Sequence, residues 1–394
     1  MRKPIQIFMI LANPFKPDPR VMKEAISLSQ NGFRVTIIAW NRDMKLRPME
    51  QIQNINIIRI PVFSEHGGGL KNLFKFIAFY VKALKQLLIG QPDIVHCHDL
   101  DTLFVGVVYK IFSRCRLLYD SHEYYSEMVN LPILLRKVLA FYEYFCLCAS
   151  DAIIVASTFT KKKFDQAVKR KCAVINNSAD TSLFGKIDKN EIELLRSSIG
   201  VKQNEIMILY VGGFSEYRKI LELIDSSVGI SNLKIVIAGD MGQSIVRKFS
   251  HHNHIIYMGW IKPSEVPLFT KAADVCYYVY DIASRYANYV NPNALFNALA
   301  AGKGIICSDC GDMGEIVRET KSGFFVNPKN ISSYRLLLKD LTKDQLIRKG
   351  QFALCASKSK YSWAYNEKKL LNIYDWLYKK QKGNLSAYLQ KELA

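Results

Sequence analysis

Strand-like and helix-like runs alternate along this chain from its first residues, and the same alternation starts again in its second half. Apolar strand runs at 6–11, 34–39, 94–96 and 116–119 are separated by helical periodicity near 20–31, 70–88 and 103–112. After residue 200 come strand runs at 206–211, 234–238, 254–257, 275–278 and 304–307, with a helix from about 220. Such alternation predicts parallel sheets covered by helices, because each parallel connection needs a crossover element. At 394 residues the chain is too long for one core of ordinary size. The fold class expected is therefore α/β, with two facing doubly wound Rossmann-like domains. Their expected bounds are 1–185 and 203–372, with a linker at 186–202 and a basic C-terminal segment at 373–394 that packs back on the first domain. Ligands of such sheets sit outside the carboxyl ends of the strands, which places them in the cleft between facing domains.

Composition narrows the partners. The formal charge is +19, and both halves are basic, with 28 Lys and Arg against 18 acids up to residue 200 and 26 against 17 beyond it. A basic surface attracts nucleic acid, anionic lipid or phosphorylated substrates, but no nucleic-acid motif is present. No apolar run reaches the length of a spanning helix. The nine cysteines are odd in number and scattered, and no signal-peptide pattern precedes the first strand, so a reducing, cytoplasmic setting is expected.

One helix bears on membrane contact. At about 100° per residue, Lys71, Lys75, Lys82 and Lys85 form one stripe, with Leu73, Phe74, Ile77, Tyr80, Val81, Leu84 and Leu88 on the far side. Such a helix can lie on an anionic membrane, and so can the basic, aromatic segment 131–145. A core helix with a solvated lysine face has the same pattern.

The stretch VNPNALFNALAAGKGIICSD at 290–309 reads as a helix that offers its first turn to an anion. Asn291 is the expected N-cap and Pro292 the first helical residue. The amides of Asn293, Ala294 and Leu295 then lack intrahelical partners. Gly302 provides a left-handed stop before a strand at 304–307. Gly212 and Gly213, after the strand at 206–211, allow backbone to approach a ligand, and Arg218 and Lys219 follow at the next helix. Together these features would clamp a diphosphate. In the first half, Tyr119-Asp120-Ser121-His122-Glu123 puts an imidazole at a strand end. His96, His98, Asp99 and Asp101 are metal-ligand types, but no third imidazole lies near them in sequence, and a metal is not expected. Cys307 and Cys310 read as small buried thiols, and His251, His252 and His254 as a solvated loop.

These residues resemble the retaining glycosyltransferases of family 4, whose fold is GT-B, over nearly the whole chain. The resemblance is carried by Asp18-Pro-Arg20-Val, DIVHCHDLDTLFVG (93–106), YDSHE (119–123), SDAIIVAS (150–157), VINNSAD (174–180), YVGGFSEYRK (210–219), IAGDMG (237–242) and NPNALFNALAAGK (291–303), in order. It implies that a nucleotide-sugar donor is held by the second domain through Gly213, Arg218, Lys219, Asn293, Ala294, Leu295 and Asn297. It implies an acceptor on the first domain beside Asp18, Arg20, Asp120 and Glu123. His122 would sit by the transferred sugar, Arg218 would neutralise the leaving diphosphate, and no metal or other cofactor is required.

The chain departs from that pattern where it matters for activity. The two glutamates of the family's E-x7-E motif fall at Tyr289 and Asn297, and Ala294 stands where P-N-K relatives carry lysine. The expected function is transfer of a hexose from a UDP- or GDP-sugar to a lipid-linked or polysaccharide acceptor, by a cytoplasmic protein peripheral to the membrane. A non-catalytic GT-B partner that scaffolds an active enzyme is the alternative, and the oligomeric state is open.

Overall fold

The computed structural model describes residues 4–16, 18–65, 72–122, 132–289, 291–379, 381 and 383–393. The chain divides into two compact units, the first made of residues up to Ile175 and from Glu367 onward, the second of Asn176–Asn366. The second unit thus begins before the expected linker, and 186–202 contains one of its helices, Lys189–Ser198. The return to the first unit occurs inside a helix, at Glu367 rather than at 373.

The first unit holds β1 (Gln6–Leu11), α1 (Pro19–Gln30), β2 (Arg34–Asn41), β3 (Met49–Ile52), β4 (Ile55–Pro61), α2 (Leu73–Gly90), β5 (Ile94–His98), α3 (Leu100–Phe112), β6 (Arg116–Ser121), α4 (Ile133–Ala149), β7 (Ala152–Val155) and β8 (Cys172–Val174). Its sheet runs β3-β4-β2-β1-β5-β6-β7-β8, parallel throughout except for the β3–β4 hairpin. The order reverses between β1 and β5, and that is where a doubly wound sheet opens a crevice at its carboxyl edge. Asp18 caps α1 by accepting a hydrogen bond from the Val21 amide, with Pro19 at the first position. That start fixes the direction in which Arg20 leaves the helix.

The apolar side of α2 does not all face the core. The core face of α2 is Phe79, Ala83 and Leu87, so Phe74, Ile77, Val81 and Leu88 are exposed beside the lysines. The helix is apolar around more of its circumference than its core contact uses.

In the second unit β9 (Ile206–Val211), α5 (Ile220–Ser227), β10 (Leu233–Ala238), β11 (Ile255–Gly259), β12 (Val275–Tyr278), α6 (Asn293–Ala301), β13 (Gly304–Cys307) and β14 (Gly323–Phe325) build the site region. The sheet order is β11-β10-β9-β12-β13-β14, all parallel, and the reversal lies between β9 and β12. After Asn366 the chain continues through α7 (Trp363–Tyr378) to α8 (Leu385–Leu393), which packs on β8 of the first unit.

Candidate active site

In the first unit three chain segments far apart in sequence meet because β1, β5 and β6 are neighbours. Asp120, fully buried at the end of β6, takes two hydrogen bonds from Arg20 of α1, Nη2–H to Oδ1 at 2.8 Å and Nε–H to Oδ2 at 3.0 Å. The remaining Arg20 nitrogen, Nη1, donates to the Ile175 carbonyl at 3.0 Å. Burial alone would raise the Asp120 pKa, but Arg20 and then His122 outweigh it and hold the carboxyl well below its usual range. His122 Nε2 lies 3.2 Å from Asp120 Oδ2 and 3.1 Å from His98 Nδ1, while its Nδ1 lies 3.6 Å from Asp99 Oδ2. Burial lowers its pKa, yet Asp99 and Asp120 together carry it up to about 10. His122 is therefore an imidazolium held between two carboxylates, a fixed positive charge rather than a free base.

The neighbours complete this chain of alternating charge. His96 and His98 are driven down by burial and stay neutral, and His96 Nδ1 meets the Tyr374 hydroxyl of α7 at 2.8 Å. Burial pushes Glu24 up to about 8, with Asp120 adding to the effect, and its carboxyl faces Arg20 Nε at 3.2 Å. Asn13, Arg42, His98, Asp99, Asp101 and His122 line a pocket of about 250 Å³ at this edge. Burial and then Asp99 push Asp101 up to about 7.

The third imidazole near His96 and His98, absent from their sequence neighbourhood, is His122, brought in by the pairing of β5 with β6. Among the described residues Glu24, His96, His98 and Asp120 could hold a metal, their ligand atoms all lying within 4.8 Å of one another. Arg20 already pairs with both carboxyls of that set, so a metal ion there would be pressed against a buried guanidinium. The donor set does not fit a resident cation.

The second unit brings Gly212, Gly213 and Arg218 together after β9. Gly212 has φ +155°, and a β-carbon there would come within 2.6 Å of Arg218 Nη1. A β-carbon on Gly239, after β10, would overlap the Gly212 carbonyl oxygen at 2.1 Å, so this turn tolerates only glycine. Arg218 donates from Nη1 to the Tyr210 hydroxyl at 2.8 Å, and that hydroxyl donates to the Gly213 carbonyl at 2.7 Å. Its guanidinium lies 5.9 Å from the ring centroids of both Tyr217 and Tyr280. Its Nε–H is buried and donates to no acceptor among the described residues. The group is thus held by aromatic side chains, with no carboxylate partner among the described residues and with one N–H left without an acceptor.

Lys219 differs. Its ammonium lies 3.0 Å from Glu222 and 3.3 Å from Asp281, and its backbone is left-handed at φ +44°. Two carboxylates already neutralise it, whereas Arg218 has no acidic partner among the described residues.

On α6 the cap is Pro292, not Asn291, whose carbonyl instead accepts from Asn177 Nδ2 at 3.0 Å. Proline at the cap has no side-chain acceptor, so the helix start is bare. The Leu295 amide bonds the Pro292 carbonyl at 3.0 Å, leaving Asn293 and Ala294 as the amides without acceptors among the described residues. Leu295 and Leu299 are buried, Asn297 is half-buried, Tyr289 is buried, and Gly302 ends the helix at φ +67°.

The remaining expected residues fall as follows. Asp18 accepts from Asn13 Nδ2 at 3.0 Å and caps α1. Lys75, Lys82 and Lys85 are exposed, while Lys71 and Glu123 lie outside the described residues. Cys307 is buried and Cys310 half-buried. The structure adds Glu24 of α1, Tyr210 of β9, Tyr280 after β12 and Tyr374 of α7; Tyr210 opens the YVGGFSEYRK stretch quoted above, but the partners of all four are set by tertiary packing.

Two parallel-sheet units with polar constellations at their switch points define the class, a two-domain α/β protein of GT-B fold. The family model for glycosyltransferase family 4 matches residues 20–183, and that for glycosyl transferases group 1 matches 191–358. The chain belongs to the group 1 glycosyltransferases. It is 26% identical over 376 residues to an uncharacterized glycosyltransferase of Methanocaldococcus jannaschii, covering 89% of this chain and 91% of that one. Among solved structures it is similar in fold to sucrose-phosphate synthase of Thermosynechococcus elongatus (TM-score 0.79, 17% identity, 96% and 100% of the chains). It is also similar to HepE of Anabaena in complex with UDP and glucose (TM-score 0.72, 13% identity, 95% and 99% of the chains). Among the described residues no helix is long and apolar enough to cross a membrane.

Proposed function

We propose that this glycosyltransferase moves a hexose, with retention, from a UDP- or GDP-sugar bound by the second unit to a lipid-linked or polysaccharide acceptor bound by the first. The observation that carries the reading is Arg218, a guanidinium held by three tyrosines with no carboxylate partner among the described residues and an N–H left without an acceptor. In the same unit the bare amides of Asn293 and Ala294 suit a phosphate oxygen. These groups would meet the charge that grows on the leaving diphosphate, without a divalent ion. In the transfer the anomeric C–O bond to phosphate breaks, the acceptor oxygen bonds to that carbon, and its proton passes to the departing phosphate. His122 supplies a fixed cation at the sugar side; it is not assigned proton transfer, since both ring nitrogens face carboxylates.

Incubation of labelled UDP- and GDP-hexoses with the protein and membrane extract tests this directly. Label is expected in an extractable acceptor, and His122→Ala is expected to abolish it. A His122→Ala protein with an unaffected rate would remove that residue from the mechanism. Asn297 and the paired Lys219 favour a second reading, a scaffold without catalysis. Its mark would be the absence of saturable heat in calorimetry against UDP and GDP.

Work at the cytoplasmic face of a membrane is part of the proposal. α3 packs between α2 and α4, and this layer exposes Phe74, Val81 and Leu88 on α2 and Leu134, Val138, Phe141 and Phe145 on α4. The α4 residues follow a 4-3-4 spacing, one continuous row, and Lys75, Lys82, Lys85 and Lys137 lie beside these rows, exposed. A second copy docked face to face would set lysine against lysine, whereas anionic lipid complements them. The protein is expected to float with anionic vesicles at low salt. If it stays at the bottom of the gradient, this surface does not bind membrane.

A further inference from the structure

We propose that Asp99 is a positioning residue for His122, and that an unfavourable backbone conformation is kept at Asp99 for that purpose. The inference rests on His122 facing the transferred sugar, as proposed above.

Asp99 stands between β5 and α3 with φ 62° and ψ 164°, a conformation that is essentially restricted to glycine. Aspartate at such a place ordinarily caps the helix that follows, yet this side chain makes no capping bond. Thr102 serves the turn instead, its hydroxyl donating to the His98 carbonyl at 2.7 Å and its amide bonding the Asp99 carbonyl at 3.3 Å. The Asp99 carboxylate is turned the other way. Oδ1 accepts the His122 backbone amide at 3.1 Å, and Oδ2 lies 3.6 Å from His122 Nδ1. Its own amide donates to the Asp120 carbonyl at 2.9 Å, which ties the loop after β5 to the end of β6.

The consequence is a ring held from both sides. Asp120 engages Nε2 from within the unit, and Asp99 engages the main chain and the Nδ1 side from the edge of the pocket that Asn13, Arg42 and Asp101 also line. Without Asp99 the imidazole keeps one carboxylate, is free to turn about its Cβ, and loses the partner that balances Asp120. Glycine would relieve the backbone at no cost to the helix, so a purely structural requirement would favour it over aspartate.

Among the described residues the charged and titratable groups around His122, besides Asp99, are Arg20 and Glu24 from α1, Arg42 after β2, His96 and His98 from β5, Asp120 from β6, and Asp101 from α3. Of these only Asp120 matches Asp99 as a nearby anion, because burial and Asp99 hold Asp101 up to about 7 and burial holds Glu24 up to about 8. Removing the Asp99 charge should therefore bring the His122 titration down from about 10 toward the ordinary 6.5.

Asp99→Gly and Asp99→Asn, compared with the unmodified chain, test the assignment with three readouts. The His122 ring titration is followed by NMR, melting temperature by calorimetry, and kcat and KM by labelled transfer. Both variants should titrate His122 at lower pH. Asp99→Gly should melt no lower than the unmodified chain, while kcat falls about a hundredfold with little change in KM for the donor. Asp99→Asn, which retains an acceptor for the His122 amide, should keep more of kcat and gain a new pH limb where the ring now loses its proton. An unchanged His122 titration in both variants overturns the proposal, as does a large fall in melting temperature for Asp99→Gly with kcat intact. The NMR titration needs no turnover: if the unmodified chain transfers nothing, the transferase reading fails while the link between Asp99 and His122 is still decided.

Discussion

Asp120→Ala should destabilise the first unit by about 3–5 kcal/mol, the cost of stranding a buried charge whose partner has been removed. Asp120 is fully buried and answers two cations at once, Arg20 through two hydrogen bonds and His122 at 3.2 Å. Its loss takes two hydrogen bonds from the Arg20 guanidinium, which keeps the Glu24 carboxyl and the Ile175 carbonyl beside it. Glu24 would then ionise to fill the gap, so part of the loss should be recovered at higher pH. Two units need not unfold together, so the measurement is hydrogen exchange at the β1 and β6 amides rather than one global midpoint. Asp120→Asn should cost less, since the amide oxygen still accepts from Arg20. Exchange in Asp120→Ala matching that of the unmodified chain would show that the ion pair contributes nothing.

Arg218→Ala should weaken UDP binding by roughly ten- to a hundredfold, the worth of one charge-assisted hydrogen bond, and slow transfer by about 10²–10³. The expectation follows from its surroundings. Tyr210, Tyr217 and Tyr280 orient the guanidinium, and among the described residues no carboxylate competes for it. Lys219 cannot substitute, being paired with Glu222 and Asp281. Arg218→Lys should recover only part, because ammonium keeps the charge but not the planar stack. Calorimetry and initial rates measure the two effects, and unchanged values in Arg218→Ala would place the diphosphate elsewhere.

The strands that carry the sites were legible because buried parallel strands are apolar without interruption; 6–11, 206–211, 275–278 and 304–307 coincide with β1, β9, β12 and β13. The β3–β4 hairpin was not, since Met49, Glu50 and Gln51 form an exposed edge whose side chains carry no apolar period. Which part of α2 faces the core was not legible for a related reason: a wheel reports which residues share a face, but the sheet beneath chooses the face it covers. At α6 the expected cap at Asn291 lies one residue too early: Pro292 is the cap, and the Asn291 carbonyl accepts from Asn177.

The same limit applies to chemistry. Asp18-Pro19-Arg20, His96-x-His98-Asp99 and Asp120-x-His122 could each be picked out as polar groups at strand ends or a helix start. That they form one alternation of charge follows from β1, β5 and β6 lying side by side. Tyr374 reaches His96 across 278 residues, a pairing that no local pattern encodes.

Local preference and apolar pattern determined the two α/β sheets, most strand positions, the cap at Asp18, the stop at Gly302 and the glycine turn after β9, because each depends on residues within a few positions of one another. Tertiary structure alone decided that His122 is a cation between Asp99 and Asp120, that Lys219 is already neutralised while Arg218 is not, and which face of α2 meets the core. Those outcomes depend on distances between charges, and on burial that removes the water between them. Both are set only when remote segments are brought to the same sheet edge.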